Sequence, residues 1–192
     1  RRIRGRIEET HISWVILTKK HAFKIKKPLK LSFLDFSTLT KRKKYCFREL
    51  QLNQRFSSIY LAVLPVHQEG AFWNIGKGAG KVVEYAVQMK RMMLTKRMDK
   101  LLEKNKVSKR DIQSLASSIA SFHSCAEVIK TPFNLANAKR AFNDIRSIMA
   151  LSGTHLGKQY ALVVKKSMAW SDVFLKKHAR RIRERIAMGF YR

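Results

Sequence analysis

Residues 11–27, HISWVILTKKHAFKIKK, give the clearest indication of how this chain folds. The first half is rich in β-branched and aromatic residues, and the second half alternates apolar Phe23 and Ile25 with other residues. This two-residue period is typical of a half-buried strand. The second strand ends before Pro28, which has no N–H to donate to a ladder. The stretch therefore predicts two antiparallel strands joined by a short polar turn at Lys19-Lys20.

The sequence on the C-terminal side of this stretch changes from strand-like to helical. Ser37 or Thr38 is a suitable N-cap for a helix over residues 40–56, whose basic run Lys41–Lys44 is expected to face solvent. Strand-like runs follow at residues 59–66 and 81–89, and from Met98 onward the pattern is helical. Apolar residues share one stripe of the helix that begins near Ser108: Ile112, Leu115, Ile119, Phe122 and Ala126. The sequence thus predicts an α+β fold with a strand-rich part, residues 1–90, and a helical part, residues 91–192.

The chain is strongly basic, with 41 Lys and Arg against 13 Asp and Glu and a net charge of +28. Hydrophobic residues make up 45% of the sequence, which favours a folded protein over a disordered one. Three explanations of the charge stay open: lysine used generally as a solubilising residue, attraction of nucleic acid or other polyanions, and support of a site that handles nucleotide phosphates. The segments densest in charge are Arg1–Arg6 and Lys176–Arg185. A basic nucleic-acid-binding protein is therefore one hypothesis, although no zinc finger, helix-turn-helix or aromatic RNA-binding motif accompanies the charge.

Cysteine, histidine and hydropathy patterns give no sign of a metal site or a membrane span. Cys46 and Cys125 form no paired motif, and the six histidines never adopt a metal-binding spacing. No run approaches the roughly 18 apolar residues that a transmembrane helix needs. We expect a cytoplasmic protein with two free thiols and no membrane segment.

A glycine-rich segment, Gly76–Lys81 (GKGAGK), invites comparison with a phosphate-binding loop. That motif needs four residues between its glycines and a Ser or Thr after the lysine, whereas this chain has three residues and Val82. The segment also leads into a strand, where a phosphate loop would lead into a helix. The pattern favours a flexible hairpin loop.

Lys24 and Glu49 are the residues whose pattern most suggests chemistry. In kinases a strand lysine holds the α- and β-phosphates of ATP, and a glutamate on the next helix orients that lysine. The segment Ala22-Phe23-Lys24 has the A-x-K spacing of such a strand. Lys26 shares the face of Lys24, so either lysine is a candidate anchor.

Several motifs resemble the front half of a bacterial family related to aminoglycoside phosphotransferases. They are ETHISWV at 9–15, AFKIKKP at 22–28, FLDFSTL at 33–39, C-x-x-E-L-x-L-N at 46–53, VEYAVQM at 83–89 and ASFH at 120–123. The resemblance runs from Ile7 to the end of the chain and is most specific over residues 9–53. It implies a protein-kinase-like fold, with a small antiparallel sheet and one helix in the front lobe and an incomplete helical second lobe.

The resemblance also implies ATP and Mg²⁺ as cofactors, a small hydroxylated substrate of unknown identity, and often a second P-loop domain in the same protein. Lys24, Lys26 and Glu49 would then belong to the nucleotide site, and Glu84–Met89 would run into the hinge beside adenine. The family's catalytic loop, H-G-D-x-H-x-x-x-N, and its later metal-binding Asp have no counterpart in the 192 residues. We therefore expect a fragment of a phosphotransferase that binds nucleotide at best, with no catalytic residue and no Mg²⁺ ligand of its own.

Two further expectations follow from this comparison. A non-catalytic kinase-like partner module is an alternative to the fragment. In either case the helices over residues 108–188 would lack the structure that they normally pack on, so we expect exposed apolar surface and a tendency to associate.

Overall fold

A computed structural model describes residues 5–192; Arg1–Arg4, and with them most of the first basic segment, lie outside the described residues. The strands are β1 (Arg6–Glu9), β2 (Ser13–Leu17), β3 (His21–Lys26), β4 (Lys30–Leu31), β5 (Leu34–Asp35), β6 (Tyr60–Glu69), β7 (Phe72–Ile75) and β8 (Lys81–Lys90). The α-helices are α1 (Leu39–Gln54), α2 (Met98–Glu103), α3 (Lys109–Cys125), α4 (Leu135–Phe142), α5 (Met149–His155) and α6 (Lys158–Ala187). Two 3₁₀ helices, Leu94–Lys96 and Asn143–Ile148, complete the list.

Within the described residues six strands form one antiparallel sheet in the order β1-β2-β3-β8-β6-β7, and β4 and β5 form a separate ribbon. The predicted α+β class is confirmed, as are the strand pair β2–β3, the helix α1 and the strand β8. Thr38 is the N-cap of α1 and accepts a hydrogen bond from the backbone N–H of Lys41. The sequence pattern did not reveal β1 and β7, because a four-residue strand at a sheet edge is too short to show alternation.

One hydrophobic cluster of the sheet lies on the face to which Phe23 and Ile25 point. Phe23, Ile25, Val66 and Ala86 are buried there and pack with Ile16, Leu64, Ile75 and Val83. Successive residues of a strand point to opposite faces, so burying Phe23 and Ile25 places Lys24 and Lys26 on the other face. The helix α1 packs on β8 and β6. The alternation in β3 therefore decides which side chains are available to α1.

The glycine-rich segment is not a hairpin loop, contrary to the sequence-based prediction. It connects β7 to β8, and these strands flank β6 on opposite sides, so the segment crosses β6. The Gly76 N–H donates to the Pro65 carbonyl at 2.8 Å, and His67 Nδ1 lies 2.8 Å from the Gly80 carbonyl oxygen. A Cβ atom at Gly80 would lie 2.0 Å from the Gln68 carbonyl oxygen. Close approach of two backbones explains the glycine here.

Replacing Gly80 with alanine is expected to destabilise this part of the chain by about 1–3 kcal/mol, because backbone must move to admit the methyl group. Urea unfolding followed by tryptophan fluorescence measures the loss. Gly153→Ala is the matched control, because its Cβ would meet only the Ala161 Cβ at 3.6 Å. Equal stabilities of the two variants would contradict the close crossing of β6.

The chain divides into two compact units, Arg1–Ile112 and Gln113–Arg192. The boundary predicted at residues 90/91 coincides with the end of β8, the last strand, whereas the division between compact units falls 22 residues later, within α3.

Buried residues of the second unit are sparse: among the described residues of 113–192 they are Val164, Leu175 and Ala179, all on α6. The expectation of exposed apolar surface in the helical part is confirmed. Even the predicted stripe on α3 is about half exposed, with Leu115 and Ile119 each at 47%.

Candidate functional site

The structure brings together all three residues that the sequence singled out. Lys24 Nζ lies 2.9 Å from Oε1 of Glu49, and Lys26 Nζ lies 2.5 Å from Oε2 of the same carboxylate. Both lysines project from one face of β3, and Glu49 reaches them from α1, 25 and 23 residues further along the chain. One carboxylate thus holds two ammonium groups, and the cluster carries a formal surplus of one positive charge.

The two lysines differ in their access to solvent. The side chain of Lys26 is 6% exposed and its ammonium lies 4.9 Å from the centre of the Phe36 ring, a cation–π distance. The side chain of Lys24 is 29% exposed. Lys24 is therefore the lysine that an incoming ligand can reach, whereas Lys26 is enclosed by protein.

Local structure holds α1 in the position that this contact requires. Asp35, at the end of the β4–β5 ribbon, accepts hydrogen bonds from the N–H and hydroxyl of Ser37 and pairs with Lys41 in the first turn of α1. Hydrogen bonds from Lys41 and Ser37 hold the pKa of the Asp35 carboxyl well below its ordinary value. Near the other end of the helix, the Asn53 side chain donates to the Glu49 carbonyl at 2.8 Å.

The pKa of Glu49 reflects two opposed effects. Burial of the carboxyl raises its pKa, but the hydrogen bonds and positive charges of Lys26 and Lys24 outweigh burial, and the net pKa is lowered from its ordinary value of 4.5. The carboxylate is therefore ionised at neutral pH. Burial also raises the pKa of the Cys46 thiol, which lies one helical turn before Glu49, to about 11. Cys46 is thus a neutral packing residue at neutral pH, with its Sγ 3.8 Å from the Tyr85 carbonyl oxygen.

A second buried ion pair joins α1 to β8. Arg42 Nε lies 2.7 Å from Oε2 of Glu84, and a second guanidinium nitrogen of Arg42 donates to the Phe36 carbonyl at 2.9 Å. The prediction that the whole basic run 41–44 faces solvent is wrong at Arg42, whose side chain is 9% exposed. The sequence did contain one sign of this pair: Glu84 is a lone acid in the apolar strand VVEYAV. Because a buried carboxylate requires a partner, Glu84 indicated that a basic residue packs against the strand. The segment Glu84–Met89, predicted to run into a hinge, lies wholly within β8. This strand ends at Lys90, so the chain leaves the sheet only after that residue.

Neither a metal-binding group nor a membrane-spanning helix is found in the described part of the chain. Over residues 5–192, no three His, Cys, Asp or Glu side chains come close enough together to hold a metal ion. None of the helices described combines the length with the apolar character needed to cross a bilayer.

Comparisons with known proteins give distant relatives only. No family model matches the chain. Uncharacterized proteins of Mycobacterium tuberculosis and Mycobacterium bovis are each 29% identical to it over 122 residues, which is 63% of this chain and 23% of the relative. The chain therefore spans less than a quarter of the length of these relatives. No solved structure matches.

Proposed function

We propose that the first unit is the nucleotide-binding part of an ATP-dependent phosphotransferase with a protein-kinase-like fold, whose complete form transfers the γ-phosphate to a small hydroxylated substrate. The observation that carries the proposal is the contact of Lys24 with Glu49 between a sheet strand and the helix that follows it. The motifs over residues 9–53, which resemble the aminoglycoside phosphotransferase group, support it independently. A phosphate-anchoring lysine in this class is held by a helix glutamate in the same way.

The proposal assigns different tasks to the two lysines. Lys24 is the phosphate anchor, because its side chain is partly exposed and its ammonium retains donor capacity beyond its bond to Glu49. Lys26 offsets the charge of Glu49 from the buried side, so Glu49 orients Lys24 without cancelling the positive charge of the cluster. The resulting surplus of one positive charge suits a triphosphate.

The residues of this chain fit ATP and Mg²⁺ unequally. The cluster of Lys24, Lys26 and Glu49 offers a cation to phosphate oxygens, whereas Mg²⁺ requires a set of oxygen ligands such as carboxylates. The described residues do not supply such a set, and the sequence contains neither His-Gly-Asp nor Asp-Phe-Gly. No metal step is therefore assigned to this chain, and we expect it to bind nucleotide without turnover.

Replacing Lys24 with alanine is expected to raise the Kd for ATP by about tenfold or more, because a hydrogen bond to a charged group contributes about 1.5–3 kcal/mol. Isothermal titration calorimetry of the purified chain with ATP measures the change. Lys44→Ala is the matched control: it removes the same charge from an exposed position on α1. If both variants weaken binding equally, or if the native chain does not bind ATP, the nucleotide site is contradicted.

A second candidate function is binding of nucleic acid, and the surface of α6 favours it. The basic residues of the predicted dense segment are exposed along this helix: Lys176, Lys177, Arg180, Arg181, Arg183 and Arg185. A salt titration separates the two functions. Polyanion binding falls steeply as salt rises and is insensitive to Lys24→Ala, whereas the proposed ATP site depends on Lys24.

A further inference from the structure

Arg91, which directly follows β8, carries a guanidinium group that the described part of the chain leaves without a partner. Its Nη1 atom is buried and has no hydrogen-bond partner among the described residues, and no carboxylate there pairs with it. A guanidinium group has five N–H donors and stays charged at any ordinary pH. Because buried N–H groups in proteins are nearly always satisfied, this group requires an acceptor that the described residues do not supply.

The backbone places Arg91 on the face of the sheet that carries Lys24. In the ladder between β3 and β8, Lys24 pairs with Val87. The N–H of Arg91 donates to the Lys20 carbonyl at 2.8 Å, so the same ladder continues one residue past the end of β8. Residues two or four apart along a strand point to one face. Arg91 therefore lies on the side of Val87 and Lys24.

On this face the two cations stand at opposite ends of an apolar strip. With a rise of about 3.4 Å per residue, Arg91 lies roughly 14 Å along the strand from the position opposite Lys24. Between the two lie Ala22 and Met89, which pair with each other, and Leu17, which pairs with Ala22. An elongated ligand with polar groups at both ends and an apolar ring face complements this arrangement.

The chemistry of a guanidinium group suits the nucleoside half of such a ligand. The group is planar, so it stacks on flat aromatic rings, and it donates hydrogen bonds to ring nitrogens and hydroxyl oxygens. The base and sugar of a nucleotide offer a flat ring and neutral acceptors of these kinds. Arg91 is half-buried, so part of its side chain is open to solvent and within reach of a ligand.

We propose that Arg91 binds the nucleoside end of the nucleotide whose phosphates Lys24 anchors. This assignment rests on the nucleotide site proposed above and adds to it a second cation with a separate task. Lys24 recognises the charge of the phosphates, whereas Arg91 recognises the base and sugar by stacking and hydrogen bonding. Both residues belong to the first unit.

The test compares ATP with inorganic tripolyphosphate, which has the phosphates and no nucleoside, by isothermal titration calorimetry in about 0.15 M salt. Arg91→Met is expected to raise the Kd for ATP by about tenfold and to leave the Kd for tripolyphosphate unchanged. Lys24→Ala is expected to weaken the binding of both ligands. Lys90→Met is the matched control, because it removes the same charge from the adjacent, exposed position on the opposite face, and it is expected to change neither Kd.

Stability distinguishes a ligand-binding arginine from a structural one. Since the Arg91 side chain makes no hydrogen bond or ion pair to the described residues, Arg91→Met is expected to keep or raise the urea midpoint of the first unit. Tryptophan fluorescence follows the unfolding. A clearly lower midpoint would show that Arg91 supports the fold, and the proposal would be overturned.

The binding results separate this proposal from the nucleotide site on which it rests. If the native chain does not bind ATP, both are wrong. If Lys24→Ala weakens ATP binding and Arg91→Met does not, the role of Arg91 alone is overturned. Equal weakening of ATP and tripolyphosphate by Arg91→Met would show that Arg91 contributes charge and does not recognise the nucleoside, which also overturns the assignment.

Discussion

Replacing Glu49 with glutamine is expected to lower the free energy of unfolding of the first unit by about 3–5 kcal/mol, because it leaves two ammonium groups without their carboxylate in a mostly buried place. Lys26 bears most of this cost, since its side chain is 6% exposed and cannot turn to water as Lys24 can. Urea unfolding monitored by circular dichroism and tryptophan fluorescence measures the loss.

A double-mutant comparison identifies the cause. Lys26→Met added to Glu49→Gln removes the stranded charge, and we expect it to restore a large part of the lost stability. Glu103→Gln breaks an exposed pair with Lys100 and serves as the control, with an expected change of about 0–1 kcal/mol. A loss of less than about 1 kcal/mol in Glu49→Gln would contradict the shared buried carboxylate.

The lowered pKa of Glu49 adds a pH dependence of known sign. A carboxyl whose pKa is lower in the folded state than in the unfolded state contributes stability at pH values above its unfolded pKa. That contribution begins to fall below about pH 4.5, the ordinary value, and is lost as pH passes below the folded value. We expect the stability of Glu49→Gln to depend less steeply on pH than that of the native chain in this acid range. Parallel curves would contradict the assignment.

Arg42→Met is expected to have a similarly large effect, a loss of about 3–5 kcal/mol, because it leaves Glu84 charged and buried in β8. Among the residues that the structure describes, Glu84 then keeps the hydrogen bond from the Tyr85 N–H to its other oxygen. The Phe36 carbonyl also loses its donor. Equilibrium unfolding in urea again measures the change.

The matched variants separate burial from loss of charge. Arg180→Met breaks an exposed pair with Glu184, where the arginine side chain is 91% exposed, and is expected to change stability by at most about 0.5 kcal/mol. Pairing Arg42→Met with Glu84→Leu removes both charges and is expected to recover much of the loss. Near-equal effects of Arg42→Met and Arg180→Met would show that the α1–β8 pair is open to water.

The cluster around Glu49 and the pair Arg42–Glu84 show how much of the first unit can be predicted from the sequence. The alternation of β3 and the A-x-K spacing led to Lys24, Lys26 and Glu49, and the fold brings them within hydrogen-bond distance. The pair Arg42–Glu84 belongs to no motif, and a run of basic residues on a helix ordinarily faces water. Glu84, as a lone acid in an apolar strand, signals that it needs a partner, but that partner lies 42 residues away and is decided by the packing of α1 on the sheet.

The glycine-rich segment and the helices of the second unit show a different limit. Glycine spacing argued against a phosphate loop, but the identity of the strand that the segment crosses depends on strand order, which local pattern does not encode. The stripe on α3 has the period of a buried helix face, yet Leu115 and Ile119 remain half exposed. A period of 3.6 residues specifies that apolar side chains share a face; it does not specify what covers that face.

Local pattern alone determined the strand pair, the helix that follows it, the shared face of Lys24 and Lys26, and the excess of positive charge. Tertiary structure decided that one carboxylate serves both lysines, that Arg42 is buried against Glu84, and that the stripe on α3 stays half exposed. The physical reason is the distance along the chain over which each effect acts. Backbone periodicity acts between neighbours and sets the direction of a side chain, whereas burial and ion pairing depend on which distant segment packs against it.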